Sequence, residues 1–322
     1  AHREDDEPEA AHRPDHPEGL EDTHGFADDG EGDVVAGAQL LGALGHGGLL
    51  GLAEADGLGH EGPPGSGVTA SGGPGRRAAG PGSEVRLAPE PNYKAEVDAL
   101  LAQVDDRTRI VYVSNPDNPM GTWWDAAAID AFCDAVPERT LIVLDEAYGE
   151  TAPAGTLPPV DTARPNLIRL RTFSKAYGLA GLRCGYAFGT QALIAPFDKV
   201  RDHFGVNVMA QAAALASLGD RDWLAGTLGK IAAARDEIAR IGGDNGLTAL
   251  PSATNFVTLD CGRDGNHAMA VLKGLMDGGV FVRKPMAPVL DRCIRVSVGR
   301  PEELAHFATT LPIALAQARG DA

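Results

Sequence analysis

The residues of this 322-residue chain best suited to chemistry cluster around one lysine. Lys175 lies in Arg171-Thr172-Phe173-Ser174-Lys175-Ala176-Tyr177-Gly178-Leu179-Ala180-Gly181-Leu182-Arg183. An amine able to form an imine stands among small hydroxylated residues, and an arginine follows after a Gly-containing turn. Amine, hydroxyls and guanidinium together suit a phosphorylated aldehyde such as pyridoxal phosphate. A strand-to-helix loop with a surface lysine is the plain alternative. Two upstream motifs weigh against it.

The elements that would position such a site are legible. The apolar run Arg109-Ile110-Val111-Tyr112-Val113 reads as a strand, and Asn115-Pro116-Asp117-Asn118-Pro119-Met120-Gly121 follows it. Pro and Gly there predict a rigid turn that holds the Asn118 amide toward a ligand. The run Leu141-Ile142-Val143-Leu144-Asp145-Glu146-Ala147-Tyr148 reads as a central strand of a parallel sheet that ends in an acid. An acid at the carboxyl end of such a strand lies at the crevice where open α/β sheets bind ligands. An ordinary turn and an N-cap aspartate are the alternatives for the two motifs taken singly. Leu167-Ile168-Arg169-Leu170 leads into the lysine segment as a further strand.

From about Val85 onward the chain resembles the fold-type I pyridoxal-phosphate aminotransferases, most closely the histidinol-phosphate aminotransferase branch. The resemblance rests on Asn118-Pro119-Met120-Gly121, Asp145-Glu146-Ala147-Tyr148, Thr172 through Arg183, and Ile294-Arg295-Val296-Ser297-Val298-Gly299. Met120 stands where the family usually has threonine. The implied fold is a three-layer α/β/α large domain with a mostly parallel sheet, followed by a small C-terminal α+β domain. The expected boundaries are 85–230 and 231–322.

The resemblance implies pyridoxal 5′-phosphate as cofactor and a role for each matched residue; the histidines of residues 1–82 show no metal-ligand spacing and have no Cys nearby, so no metal is expected. Lys175 is the Schiff-base lysine and the base that moves the substrate Cα proton. Asp145 pairs with the pyridine nitrogen and keeps it protonated, a pairing that depresses the acid's pKa. Tyr148 and Asn118 hydrogen-bond the cofactor's 3′-oxygen, and Ala147 lies flat against the ring. Thr172, Ser174 and Arg183 hold the phosphate, to which a guanidinium fork is suited. Arg295, in an alternating strand, receives the substrate's anionic group, and Arg283 is a second anion contact. A strand-edge surface arginine is the alternative for each of these two.

Composition divides the chain. Residues 1–82 hold 16 acidic and 4 basic residues and 20 of the 41 glycines. They contain no Lys, Ile, Asn, Met, Tyr, Trp or Cys. Such a segment cannot bury enough apolar surface to offset chain entropy, so residues 1–84 are expected to be irregular or disordered. In the family this region supplies a first sheet strand, a phosphate-binding turn and an aromatic that stacks on the cofactor. None is recognisable here, although Gly65-Ser66-Gly67 resembles a fragment of the turn. A skew toward residues with GC-rich codons makes an out-of-frame stretch the leading explanation, against a genuine acidic extension.

The remaining helices are expected at Lys94–Val104, Asp125–Ala135, Gln191–His203, Val208–Leu218 and Arg221–Ile241, and Cys184–Gly189 is expected as a strand. The two tryptophans before Asp125 are read as packing residues. Beyond Ile241 the pattern alternates as strand, helix, strand, strand, helix. Cys133, Cys184, Cys261 and Cys293 lack paired spacing and read as reduced thiols of a cytoplasmic protein. The stretch around Leu40–Leu52 is broken by glycines and His46 and is too short to span a bilayer. A formal charge of −17 without a basic patch argues against a nucleic-acid partner. The expected partners are a small-molecule amino donor, a 2-oxo acid acceptor and a second copy of the chain. An aminotransferase working by ping-pong half-reactions is the leading reading. A decarboxylase of the same fold and a frame-damaged, non-catalytic relative are the alternatives.

Overall fold

Runs rich in Ile, Val and Leu form the central strands. In the computed structural model, which describes residues 66–69, 84–90, 93–202, 204–285 and 290–320, they are β3 (Thr108–Ser114), β4 (Leu141–Asp145) and β5 (Leu167–Thr172). With β1 (Ser66–Thr69), β2 (Glu84–Leu87) and β6 (Gly185–Phe188) they make a six-stranded sheet in the order β2-β1-β3-β4-β5-β6. All pairs are parallel except β5 with β6. Alternate residues face opposite layers. Val111, Val113, Ile142 and Leu144 pack with Ile129 and Phe132 on one side, while Tyr112, Val143, Ile168 and Phe197 form a cluster on the other. A sheet apolar on both faces is the reason the strands read as continuous apolar runs.

β1 corrects one expectation. Composition predicts no sheet strand before Val85, yet Ser66-Gly67-Val68-Thr69 pairs with both β2 and β3. Ser66 and Gly67 therefore belong to a strand and not to a phosphate turn, and Gly65 lies outside the described residues. The strand is only four residues long and gains its stability from ladder bonds on both sides, which composition does not register. Apart from β1 and Glu84, the expectations for residues 1–84 fall outside the described residues.

Helix α1 (Val97–Leu101) is shorter than the predicted 94–104. The indole N–H of Trp124 donates to the Ala95 carbonyl at 2.8 Å, and Tyr93 has φ of +61°, which together hold the entry segment out of helix. Helix α2 (Ala126–Ala135) starts where predicted, with Asp125 capping the Ala128 N–H at 2.8 Å. The predicted 191–203 helix is instead α3 (Gln191–Ile194) followed by a 3₁₀ segment, Ala195–Lys199. Pro196 removes a donor at that junction; His203 lies outside the described residues. Two longer helices follow, α4 (Val208–Gly219) and α5 (Arg221–Asp244).

The C-terminal part is a three-stranded antiparallel sheet of β7 (Thr248–Ala249), β8 (Phe256–Asp260) and β9 (Cys293–Ser297). Helices α6 (Gly265–Asp277) and α7 (Pro301–Arg319) join α5 in covering it. Ile238, Ile241, Leu259, Val271, Leu275, Ile294, Phe307 and Leu311 build its core. Of the pattern expected beyond Ile241, the strand directly after helix α6 is reduced to one bridge between Arg283 and Arg295. No helix of the described residues is long and apolar enough to cross a membrane.

The Asn118 turn joins the two sheets. Thr258 on β8 donates its hydroxyl to the Pro119 carbonyl at 2.7 Å, and the Ala253 N–H donates to the Gly121 carbonyl at 2.8 Å. Gly121 has φ of +86°, and a Cβ there would come within 2.6 Å of the Ser252 Oγ. Glycine is required by both the backbone angle and the close approach.

Candidate active site

Parallel register sets the site. Ser114 pairs with Asp145, and the Asn115 N–H donates to the Asp145 carbonyl at 2.9 Å. The turn carrying Asn118 therefore leaves β3 alongside the acid that ends β4. The Glu146 N–H in turn donates to the Leu170 carbonyl at 2.9 Å, tying β4 to the strand that leads to Lys175. The carboxyl ends of three neighbouring strands meet, as the sheet rule requires.

Asp145 has both carboxyl oxygens engaged: Oδ1 accepts from the Ala147 N–H at 3.0 Å and Oδ2 accepts from the Tyr112 hydroxyl. Burial pushes its pKa up, and this outweighs the opposing pull of the Tyr112 hydroxyl, the Ala147 N–H and the Lys175 charge. The depression expected from a cationic ring partner is thus not present in the protein by itself. Asp117, buried in the adjacent turn, accepts from the Met120 N–H at 3.2 Å, and burial raises its pKa to about 6. Glu90 lies near it with Oε1 buried and unpartnered, and burial followed by the Asp117 charge raises its pKa to about 8.

The ammonium of Lys175 stands 4.8 Å from the ring centre of Tyr148, which packs edge-on against Phe256 at 5.5 Å. Among the described residues no carboxylate forms an ion pair with Lys175. Thr172 Oγ1 accepts from the Ser174 N–H at 3.1 Å, so the two hydroxyl residues are held together at the end of β5. Arg183 is exposed and in the left-handed region (φ 55°), with its guanidinium folded onto the Ala180 carbonyl at 2.8 Å. A non-glycine residue held there is backbone strain of the kind that gathers at ligand sites.

Arg295 lies across from this group. Its guanidinium donates to the Asn118 Oδ1 and stands 4.6 Å over the Phe256 ring, while its Nε is buried without a partner. Burial lowers its pKa, and the Arg283 charge adds to that effect while Tyr148 opposes it. Arg283 is exposed and reaches the group only through its backbone bridge to Arg295. The structure thus brings Lys175, Tyr148, Asp145, Ala147, Asn118 and Arg295 together. It leaves Arg183 and Arg283 at the margin with exposed side chains.

Pyridoxal phosphate matches this donor set. There is a carboxylate for the ring nitrogen, an amine free of a salt bridge for the aldehyde, and an amide and a phenol for the ring oxygen. Two hydroxyl residues and an arginine remain for the phosphate. The buried, unpartnered Nε of Arg295 is a donor in need of an acceptor, which suits an anionic substrate. No group of three or more His, Cys, Asp or Glu among the described residues could hold a metal.

Behind the site lies a layer of buried charge that sequence reading missed. Glu146 is fully buried and pairs with Arg169 and Arg171, each at 2.7 Å; Arg171 also pairs with Glu150 at 3.0 Å. Arginines in the apolar β5 run were the available signal, since a buried guanidinium demands a carboxylate. Removing one partner leaves the others unpaired, so Glu146→Gln is expected to destabilise the fold by about 3–5 kcal/mol. Urea unfolding should show a lower midpoint at unchanged m-value; a loss of less than ~1 kcal/mol would mean the arginines repack with other acceptors.

A family model, "Aminotransferase class I and II", matches residues 76–311. The chain belongs to this family. The match begins before Val85, so family-like sequence extends further toward the N-terminus than the motifs indicate. Among curated relatives, histidinol-phosphate aminotransferase 2 of Pseudomonas fluorescens is 40% identical over 240 residues, which is 74% of this chain and 64% of that protein. Histidinol-phosphate aminotransferase of Geobacillus thermodenitrificans is 38% identical over 224 residues, 69% of this chain and 60% of that protein. The chain thus spans less than two thirds of the length of these relatives. The crystal structure of histidinol-phosphate aminotransferase from Sinorhizobium meliloti in complex with pyridoxal-5′-phosphate matches with a TM-score of 0.78 and 45% identity. That match covers 85% of this chain and 75% of the other. L-threonine-O-3-phosphate decarboxylase from Porphyromonas gingivalis, at 20% identity and a TM-score of 0.69, shares the fold.

Proposed function

We propose that this chain is a pyridoxal-phosphate-dependent aminotransferase that moves an amino group between an amino acid, or histidinol phosphate, and a 2-oxo acid. The observation that carries the reading is the meeting of Lys175, Tyr148 and Asp145 at the carboxyl ends of β4 and β5. Bound pyridoxal phosphate supplies an aldehyde that carries the amino group and a ring that accepts electrons from the substrate Cα. Lys175 Nζ would hold the cofactor and would serve as the base for the substrate Cα proton. Asp145 would accept from the ring N–H and favour the protonated ring. Tyr148 and Asn118 orient the 3′-oxygen, and Ala147 is small enough to leave the ring face open. Thr172, Ser174 and Arg183 hold the phosphate. Arg295 takes the substrate's anionic group, with Arg283 as a second anion contact.

The sequence identity to histidinol-phosphate aminotransferases favours that substrate among those considered. Two separate sheets linked by α5 support a large domain ending near residue 230 and a small one over 231–322, while β1 extends the sheet of the first domain back to Ser66. A homodimer is favoured by the exposed apolar side chains of Phe204, Val208, Met209 and Leu215, which a second copy would cover. Four buried cysteines with no disulfide between them favour a cytoplasmic location. The acidic balance favours neither a nucleic-acid nor a membrane partner.

Ping-pong chemistry gives the test. Cofactor-loaded protein mixed with histidinol phosphate alone should form about one equivalent of keto product per site, and should turn over only when a 2-oxo acid is added. Release of carbon dioxide from a phosphorylated amino acid would favour the decarboxylase reading instead.

A further inference from the structure

Tyr112 and Asp145 belong to different strands, yet the register sets them on one face. Tyr112 pairs with Val143 in the β3–β4 ladder, and Asp145 lies two residues beyond Val143. Residues two apart along a strand point the same way, so the phenol runs along the sheet toward the acid. The ring is 6% exposed and packs among Val143, Ile168 and Leu170, and its hydroxyl donates to Asp145 Oδ2. Burial, with the Asp145 charge adding to it, pushes the Tyr112 pKa well up, so the phenol keeps its proton and remains a donor. With the Ala147 N–H on Oδ1, both oxygens of Asp145 are pinned.

We propose that Tyr112 is a positioning residue for the reaction: its hydroxyl fixes the orientation of the Asp145 carboxylate and holds it ionised to receive the cofactor's ring N–H. The inference rests on the reading of Asp145 as the ring-nitrogen partner. A hydrogen bond to the charged form of an acid favours that form. Here it opposes a burial effect that favours the neutral form. Without the phenol, Asp145 would bind a proton more readily and turn more freely, and the proton shared with the ring nitrogen would move toward the carboxyl. The other charged groups facing Asp145 are Lys175 from the segment after β5, Asp117 from the turn after β3, and Glu146 next to it in the chain. Glu90 faces Asp117 in turn. None of them donates a hydrogen bond to the carboxyl, so Tyr112 is the side chain that can be removed without changing a formal charge.

Tyr112→Phe keeps the ring and its packing. The first measurement uses cofactor-free protein carrying ¹³C-labelled aspartate, with the Asp145 signal assigned by its loss in Asp145→Asn. Its titration midpoint should rise by about one to two pH units in Tyr112→Phe, the size expected for losing a hydrogen bond to an ionised group. An unchanged midpoint would overturn the proposal and reduce Tyr112 to packing. If the phenylalanine variant fails to fold, 3-fluorotyrosine at position 112 keeps the hydroxyl but makes it a stronger donor. The midpoint should then fall, and a midpoint that stays put overturns the proposal equally. The second measurement loads ¹⁵N-labelled pyridoxal phosphate. The ring-nitrogen shift of Tyr112→Phe should lie between those of the unsubstituted protein and Asp145→Asn; a shift identical to the unsubstituted protein's would contradict the proposal. Failure of the unsubstituted protein to take up cofactor would instead sink the functional reading above, and the carboxyl titration would still decide the part played by Tyr112.

Discussion

Lys175→Ala should abolish transamination while leaving the fold intact. The side chain makes no salt bridge among the described residues; its charge acts on Asp145, and its close contact is the face of the Tyr148 ring at 4.8 Å. Such a contact is worth roughly 0.5–2 kcal/mol, a small part of a domain's stability. The loss of activity should be far larger, at least about 10⁴-fold, because the amine is proposed as both attachment point and proton carrier. No other lysine can replace it. Lys230 and Lys273 are exposed on helices α5 and α6, Lys199 is exposed at the end of a 3₁₀ segment, and Lys284 is paired with Asp291. Lys94 lies in the segment that precedes α1. Single-turnover kinetics together with a thermal melt check both halves: an unchanged melt with activity lost is the expected pair, and residual activity within tenfold of the unsubstituted protein would assign the proton transfer elsewhere.

Asp145→Asn comes second in size. An amide at this position still accepts from the Ala147 N–H through its oxygen, so the strand end keeps its local geometry. It cannot hold a proton on the ring nitrogen by charge, so proton removal from the substrate loses its electron sink. A decrease of at least ~10²-fold in the chemical step is expected, with substrate binding changed much less. A single-turnover rate near that of the unsubstituted protein would reduce Asp145 to a strand-end acceptor.

The parts legible in the sequence are those in which one property decides the structure. Runs rich in Val, Ile and Leu marked β3, β4 and β5 because both faces of a parallel sheet are buried. Asp125 marked the start of α2 because a capping carboxylate is a local device. Local signals failed where distant partners intervened. The four residues of β1 owe their strand form to neighbours on either side. The first turn of the predicted 94–104 helix is lost to a bond from Trp124, roughly thirty positions away. The motif residues Asn118, Asp145, Ala147, Tyr148 and Lys175 stand together, and their distinctive types made them legible in the chain. Tyr112 was read only as part of an apolar strand, although a phenol in a central strand needs a polar partner and could have been flagged. The pairing of Arg295 with Asn118, the Thr258 bond to Pro119, and the Glu146 layer depend on how distant segments meet, which no spacing in the chain encodes.

Covalent trapping tests most directly whether Lys175 carries the cofactor. Borohydride reduction of the protein in the presence of pyridoxal phosphate converts an imine into a stable secondary amine that survives digestion. Peptide mapping should place the pyridoxyl mass on the peptide containing Ser174-Lys175-Ala176, and no such mass should be found in Lys175→Ala. A label on Lys94, Lys199, Lys230, Lys273 or Lys284, or no label at saturating cofactor, would contradict the account.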